Sequence, residues 1–124
     1  LSISTAAACS LTDHPNISFL FDGSMGRGVV AAQWPSPDGA KGKPFGYAGG
    51  LGPATIEAQL ERMAVAAGGP GSQQFWIDME SGIRTGTSST SAKPGAIVDR
   101  DVFDVSKCMD CIRTAVRMGI MTDQ

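Results

Sequence analysis

The chain has 124 residues, enough for a single domain across residues 1–124 and too few for two. With 42% hydrophobic and 18% charged residues it can build a core, which argues against global disorder; a formal net charge of −2 gives no electrostatic ground for nucleic acid or an anionic membrane as partner. No apolar run approaches the roughly 20 residues that a membrane-spanning helix needs.

Taken in order, Leu1 to Thr5 reads as the tail of a strand. Leu1 to Cys9 is apolar but has no basic flank, so it is not read as a signal peptide. The three cysteines, Cys9, Cys108 and Cys111, form no disulfide framework, and a reducing cytoplasm is the expected compartment. His14, the single histidine, sits in a polar Asp13-His14-Pro15-Asn16 turn and is expected at the surface rather than as a catalytic base. Ile17 to Phe21 is a short apolar run ending in Asp22-Gly23, the pattern of a buried strand and its loop. Pro35 to Pro44 is rich in Pro, Gly and Lys and reads as irregular. Phe45 to Ala48 is a second strand, closed by Gly49-Gly50.

A helix is expected from Pro53. Ile56, Leu60, Met63, Ala64 and Ala67 share one face, Pro53 suits the first helical position and Gly68-Gly69 the stop. Gln74 to Ile77 is a third strand, closed by Asp78. Residues 85–100 form a flexible Ser/Thr-rich loop, with a lid as the sharper reading. A second helix starts at Asp104, a good N-cap. Val105, Cys108, Ile112, Ala115, Val116 and Gly119 make its expected inner stripe, and Arg113 and Arg117 lie late, where cations suit the helix dipole.

Strands alternating with helices imply a parallel sheet with helical crossovers, hence an α/β fold. Runs such as Phe19 to Phe21 fit a sheet covered on both faces. Ligands bind at the C-terminal ends of such strands. Three motifs fall there: Asp22-Gly23-Ser24-Met25-Gly26-Arg27-Gly28, Ala48-Gly49-Gly50-Leu51-Gly52-Pro53, and Asp78-Met79-Glu80-Ser81-Gly82-Ile83. Gly49-Gly50 opening onto a helix makes either an anion site built from bare N–H groups or a tight turn without ligand. A dinucleotide fingerprint fits poorly, since Pro53 intervenes and Thr55 stands where a third glycine belongs. Ser81-Gly82 on the neighbouring strand's loop could reach the same phosphate, or simply turn the chain. Asp22, at the end of an apolar strand, is either a general acid or an Asp capping its own turn.

Together these residues resemble phosphoribosylanthranilate isomerase. The family carries an apolar strand ending in Asp, then a Gly-rich loop and a Trp, matched by Phe19 to Asp22, Gly26-Arg27-Gly28 and Trp34. Its Gly-Gly-Leu-x-Pro and Asp-x-x-Ser-Gly segments match Gly49 to Pro53 and Asp78 to Gly82, and its closing helix matches Asp104 to Met118. Order and spacing agree from Ile17 to Met118. The resemblance implies the C-terminal part of a (β/α)₈ TIM barrel, three to four parallel strand-helix units of it. It also implies an Amadori rearrangement of an N-linked ribose 5-phosphate in tryptophan biosynthesis, with no metal and no cofactor. By that resemblance Asp22 is the general acid on the ring oxygen, and Gly26, Gly28, Gly49, Gly50, Ser81 and Gly82 hold the phosphate.

Departures accompany the match. The family barrel runs to about 200 residues. The strand-terminal Cys that serves as its general base has no counterpart among Cys9, Cys108 and Cys111. Cys108-x-x-Cys111 lacks the further ligands of a zinc site and reads as helix packing. Thr55-Ile56 replaces the usual Asn-Val, Arg84 stands where an acidic residue is usual, and Glu80 occupies a position that is often small. The expected partner is a small-molecule sugar phosphate. The alternative is a non-catalytic half barrel that binds sugar phosphate and pairs with itself or with an N-terminal half through exposed sheet edges.

Overall fold

The computed structural model describes residues 15–25, 27–69, 74–86 and 102–120. Strands β1 (Phe19–Asp22), β2 (Phe45–Ala48) and β3 (Phe75–Asp78) form a parallel sheet in that order, with helix α1 (Ile56–Ala66) crossing from β2 to β3. A two-residue hairpin, β4 (Arg84–Thr85) against β5 (Val102–Phe103), leads into helix α2 (Val105–Arg117). The chain is thus a mixed α/β protein. No helix among the described residues is long and apolar enough to cross a membrane.

Pairing in register aligns Phe19, Phe45 and Phe75 in one row and Phe21, Tyr47 and Ile77 in another. Both rows belong to the core, with Ile56, Leu60 and Met63 of α1 packed over them. Tyr47 is fully buried and meets Trp34, Phe45 and Phe75 edge-on at 5.1–5.4 Å between ring centroids. Its hydroxyl donates to the Pro35 carbonyl at 2.7 Å. Trp34, also buried, donates its indole N–H to Gln59 Oε1 at 3.0 Å, so the β1–β2 connection is tied to both β2 and α1. Within that connection the residues expected to be irregular include a 3₁₀ turn, Pro37–Ala40, capped by the Ser36 hydroxyl and burying Pro37 and Ala40.

Side chains alternate across a sheet. Leu20, Gly46 and Trp76 therefore face away from the helices, followed by Asp22, Ala48 and Asp78. On this face Leu20 is 42% and Trp76 38% exposed. The Trp76 indole fills the space where Gly46 would carry a Cβ, at 2.3 Å, so the ring itself covers the middle strand. The expectation of a sheet covered on both faces fails among the described residues: the helices cover one side.

Helix boundaries and faces differ from expectation at three places. α1 begins at Ile56, because residues 53–55 form a turn in which the Thr55 N–H bonds the Gly52 carbonyl. Pro53 is therefore not the first helical residue. Thr85 is not in the loop but in the hairpin, where Arg84 packs 4.5 Å from the Phe103 ring centroid. In α2, Cys108, Cys111, Ala115 and Met118 face the core, whereas Val105 and Ile112 are 73% and 41% exposed. The buried stripe lies on the Cys111 side because α1 packs there, bridged at the surface by Arg117 and Glu57 at 2.9 Å. Asp104 is the N-cap as expected, accepting from the Ser106 and Lys107 N–H groups at 3.0 and 3.3 Å. The expected strand tail at Leu1 to Thr5, together with Cys9, His14 and the loop beyond Gly86, lies outside the described residues.

Candidate functional site

The parallel register brings the C-terminal ends of the three strands to one rim. A cavity of about 130 Å³ opens there. Asp22 and Ser24 line it from the end of β1, Gly28 from the following loop, Ala48 to Leu51 from the end of β2, and Asp78 to Ser81 from the end of β3. Five of the residues singled out from sequence therefore share one concavity: Asp22, Gly28, Gly49, Gly50 and Ser81. Gly26 lies outside the described residues. A wider hollow of about 510 Å³ involves Trp34 and the last two turns of α1. A crossover helix runs antiparallel to its strands, which places that hollow toward the opposite end of the sheet.

Gly49 and Gly50 hold left-handed backbone, at φ 115° and 64°. A Cβ on Gly50 would lie 2.4 Å from the Val30 nitrogen, and one on Gly49 2.7 Å from the Ser24 nitrogen. The two glycines thus let the loop after β1 close down on the end of β2. Thr55 fixes this turn: its hydroxyl donates to the Gly50 carbonyl at 2.9 Å and accepts the Gly52 N–H at 3.1 Å. That use of Thr55 also explains the late helix start. The hydroxyl reaches back into the loop and does not cap α1, so the first turn of α1 stands behind the cavity and does not line it. Of the expected glycine turn opening onto a helix N-terminus, Gly49 and Gly50 line the cavity and the helix does not.

Gly82 does not line the cavity. A Cβ there would sit 1.9 Å from the Leu51 carbonyl oxygen, so its role is close packing of the β3 loop against the β2 loop. Ser81, by contrast, faces the loop after β1, since a Cβ on Gly28 would meet the Ser81 Oγ at 2.8 Å.

Asp22 is half-buried, and three donors converge on one of its oxygens. The Ser24 N–H and hydroxyl donate to Oδ1 at 2.9 Å each, and the Met25 N–H at 3.1 Å. These bonds hold a tight turn in which Met25 takes φ 50°. The turn-capping role is thus realised in the structure: at the end of its apolar strand the carboxylate sits in a hydrogen-bonded setting.

Asp78 carries no site role in the sequence reading, and Glu80 enters it only as a departure from the family pattern that would crowd or recharge the phosphate site. The signal for Asp78 was present: like Asp22 it ends its strand, and register places both in the row of Ala48, on the same face. The lining therefore carries three carboxylates, Asp22, Asp78 and Glu80, and no Lys or Arg among the described residues. Chemically the rim offers carboxylate acceptors, the hydroxyls of Ser24, which donates to Asp22, and Ser81, and glycine backbone in its lining. Cys108 and Cys111 stand apart on α2; burial pushes the Cys111 thiol up from its ordinary value, so it is held as a packing thiol. No family model, curated protein or solved structure matches the chain.

Proposed function

We propose that the chain is the acid-bearing and phosphate-holding part of a phosphoribosylanthranilate isomerase-like (β/α)₈ barrel. In this reading it takes part in the Amadori rearrangement of an N-linked ribose 5-phosphate in tryptophan biosynthesis. The observation that carries the reading is the single cavity at the strand ends, shared by Asp22, Gly28, Gly49, Gly50 and Ser81. The resemblance assigns a carboxyl acid and a phosphate cradle to those same positions.

In this scheme the phosphate rests in the cavity lined by Gly28, Gly49, Gly50 and Ser81, held by backbone N–H groups of the loops and by the Ser81 hydroxyl. Asp22 gives a proton to the furanose oxygen as the bond from that oxygen to C1 breaks. A base removes the C2 proton, and the resulting enolamine tautomerises to the 1-amino-ketose, so the step is an isomerisation with no net redox change. The resemblance supplies the base from a strand that this chain does not match.

Asp22→Asn tests the reading. An amide oxygen still accepts the bonds from Ser24 and Met25, so the turn survives, while the acid is gone. In the complete barrel turnover falls by roughly 10²- to 10⁴-fold, and ribose 5-phosphate binding measured by calorimetry stays within a fewfold. Undiminished turnover would remove Asp22 from the mechanism.

The sheet face that no helix covers among the described residues favours a second reading. Leu20 and Trp76 expose apolar surface there, and β1 and β3 are the edge strands among the described residues, so in this reading the chain is a binding half that joins another copy or an N-terminal half barrel. Binding of ribose 5-phosphate without turnover, with a dimer seen by light scattering, supports this alternative.

A further inference from the structure

The proposed phosphate site has an unusual electrostatic composition. Sites for phosphate commonly pair backbone N–H groups with Lys or Arg. Here the described lining has neither, and three carboxylates share the cavity: Asp22 from β1, Asp78 from β3, and Glu80 beside Ser81. Their situations differ. Asp22 is engaged by Ser24 and Met25. Asp78 belongs to the sheet register opposite Ala48. Glu80 is the N-cap residue of the 3₁₀ turn Ser81–Ile83, exposed like Asp78, and comes directly before the residue that faces Gly28.

Resting on the reading above, we propose that Glu80 is a specificity-determining residue of this rim. It penalises a bare anion and favours a phosphate that arrives with hydroxyl groups attached. The physical argument concerns charge and hydrogen-bond capacity. An ionised carboxylate only accepts hydrogen bonds. Toward inorganic phosphate it contributes repulsion alone. Toward a sugar phosphate the same repulsion is offset, because neighbouring hydroxyls donate to it. Specificity of this kind works by building in a repulsive element against the competitor. Placed several ångströms from a dianion at a solvent-facing mouth, one carboxylate weakens binding roughly three- to thirtyfold by Coulomb's law, less at high salt.

The test is calorimetric titration of the full chain with inorganic phosphate and with ribose 5-phosphate, for the unaltered protein, Glu80→Gln and Glu61→Gln. The last removes the same charge from α1 at the other hollow. Glu80→Gln is expected to tighten inorganic phosphate roughly three- to thirtyfold and to tighten ribose 5-phosphate less, so the preference for the sugar phosphate narrows. Glu61→Gln leaves both affinities unchanged. Equal changes for the two ligands, no change in Glu80→Gln, or the same effect from Glu61→Gln would each overturn the proposal while leaving the phosphate cradle intact. If neither ligand binds any of the three proteins, the cradle itself fails, and this inference with it.

Discussion

Replacing Tyr47 by Phe removes one oxygen from a fully buried ring. The ring keeps its edge-on contacts with Trp34, Phe45 and Phe75, so no large cavity forms. What is lost is the 2.7 Å bond to the Pro35 carbonyl. A hydrogen bond of this kind contributes about 0.5–1.5 kcal/mol net, and the cost rises when the remaining partner is left dry. Pro35 is half-buried, so water partly replaces the hydroxyl, and the variant is expected to be about 1 kcal/mol less stable at pH 7. For a chain of this length that is roughly 3–6 °C in Tm. A second, independent signature follows from burial, which raises the Tyr47 phenol above its ordinary value of 10.0. Between that value and the higher folded one the native state holds a proton that the unfolded chain releases. Stability contributed by the neutral phenol is therefore complete below about pH 10 and is lost as pH climbs above it. Tyr47→Phe removes this loss, so the two proteins converge in stability above pH 10. Urea denaturation followed by circular dichroism from pH 7 to pH 11 measures both effects. A variant as stable as the parent at pH 7, or a stability gap that widens on the alkaline side, refutes the argument.

Two further perturbations probe the rim and the second helix. Gly50→Ala forces a Cβ to 2.4 Å from the Val30 nitrogen at φ 64° and should destabilise the chain by at least about 1–2 kcal/mol; it should also abolish binding of inorganic phosphate, and an unaltered affinity by calorimetry would detach the glycines from the site. The Asp104 carboxyl is held below its ordinary value of 3.8, chiefly by the hydroxyl of Thr85 and then by the Lys107 N–H. Its contribution is present above that value and disappears as pH falls through the lower folded one. Asp104→Ala should therefore fray the first turn of α2 at neutral pH and flatten the acid limb of the stability curve, both visible in far-ultraviolet circular dichroism. An unchanged acid limb would remove Asp104 from the account.

Much of the fold was legible in one dimension. Each strand is a short apolar run stopped by Asp or Gly, and strand-helix alternation implied the parallel pairing found for β1, β2 and β3. The rim was legible for the same reason: in a parallel sheet all C-terminal strand ends lie together, so Asp22, Gly50 and Ser81 were brought to one side by topology alone. Helical period likewise located α1 and α2, because it reports the local backbone.

The tertiary structure decided what periodicity cannot encode. α2 carries apolar residues over a wide arc, and whether Ile112 or Cys111 turns inward depends on where α1 and the sheet stand. Thr55 and Pro53 both look like helix starters, but the Thr55 hydroxyl found a better partner in the Gly50 carbonyl, and this moved the helix start. That Asp22 caps its own turn became visible only when Ser24 and Met25 closed around its Oδ1. Asp78 and Glu80 joined the cavity through register and turn geometry. Local sequence sets which backbone shapes are cheap, whereas the choice among polar partners and buried faces is a competition between segments distant in the chain, settled only when they pack.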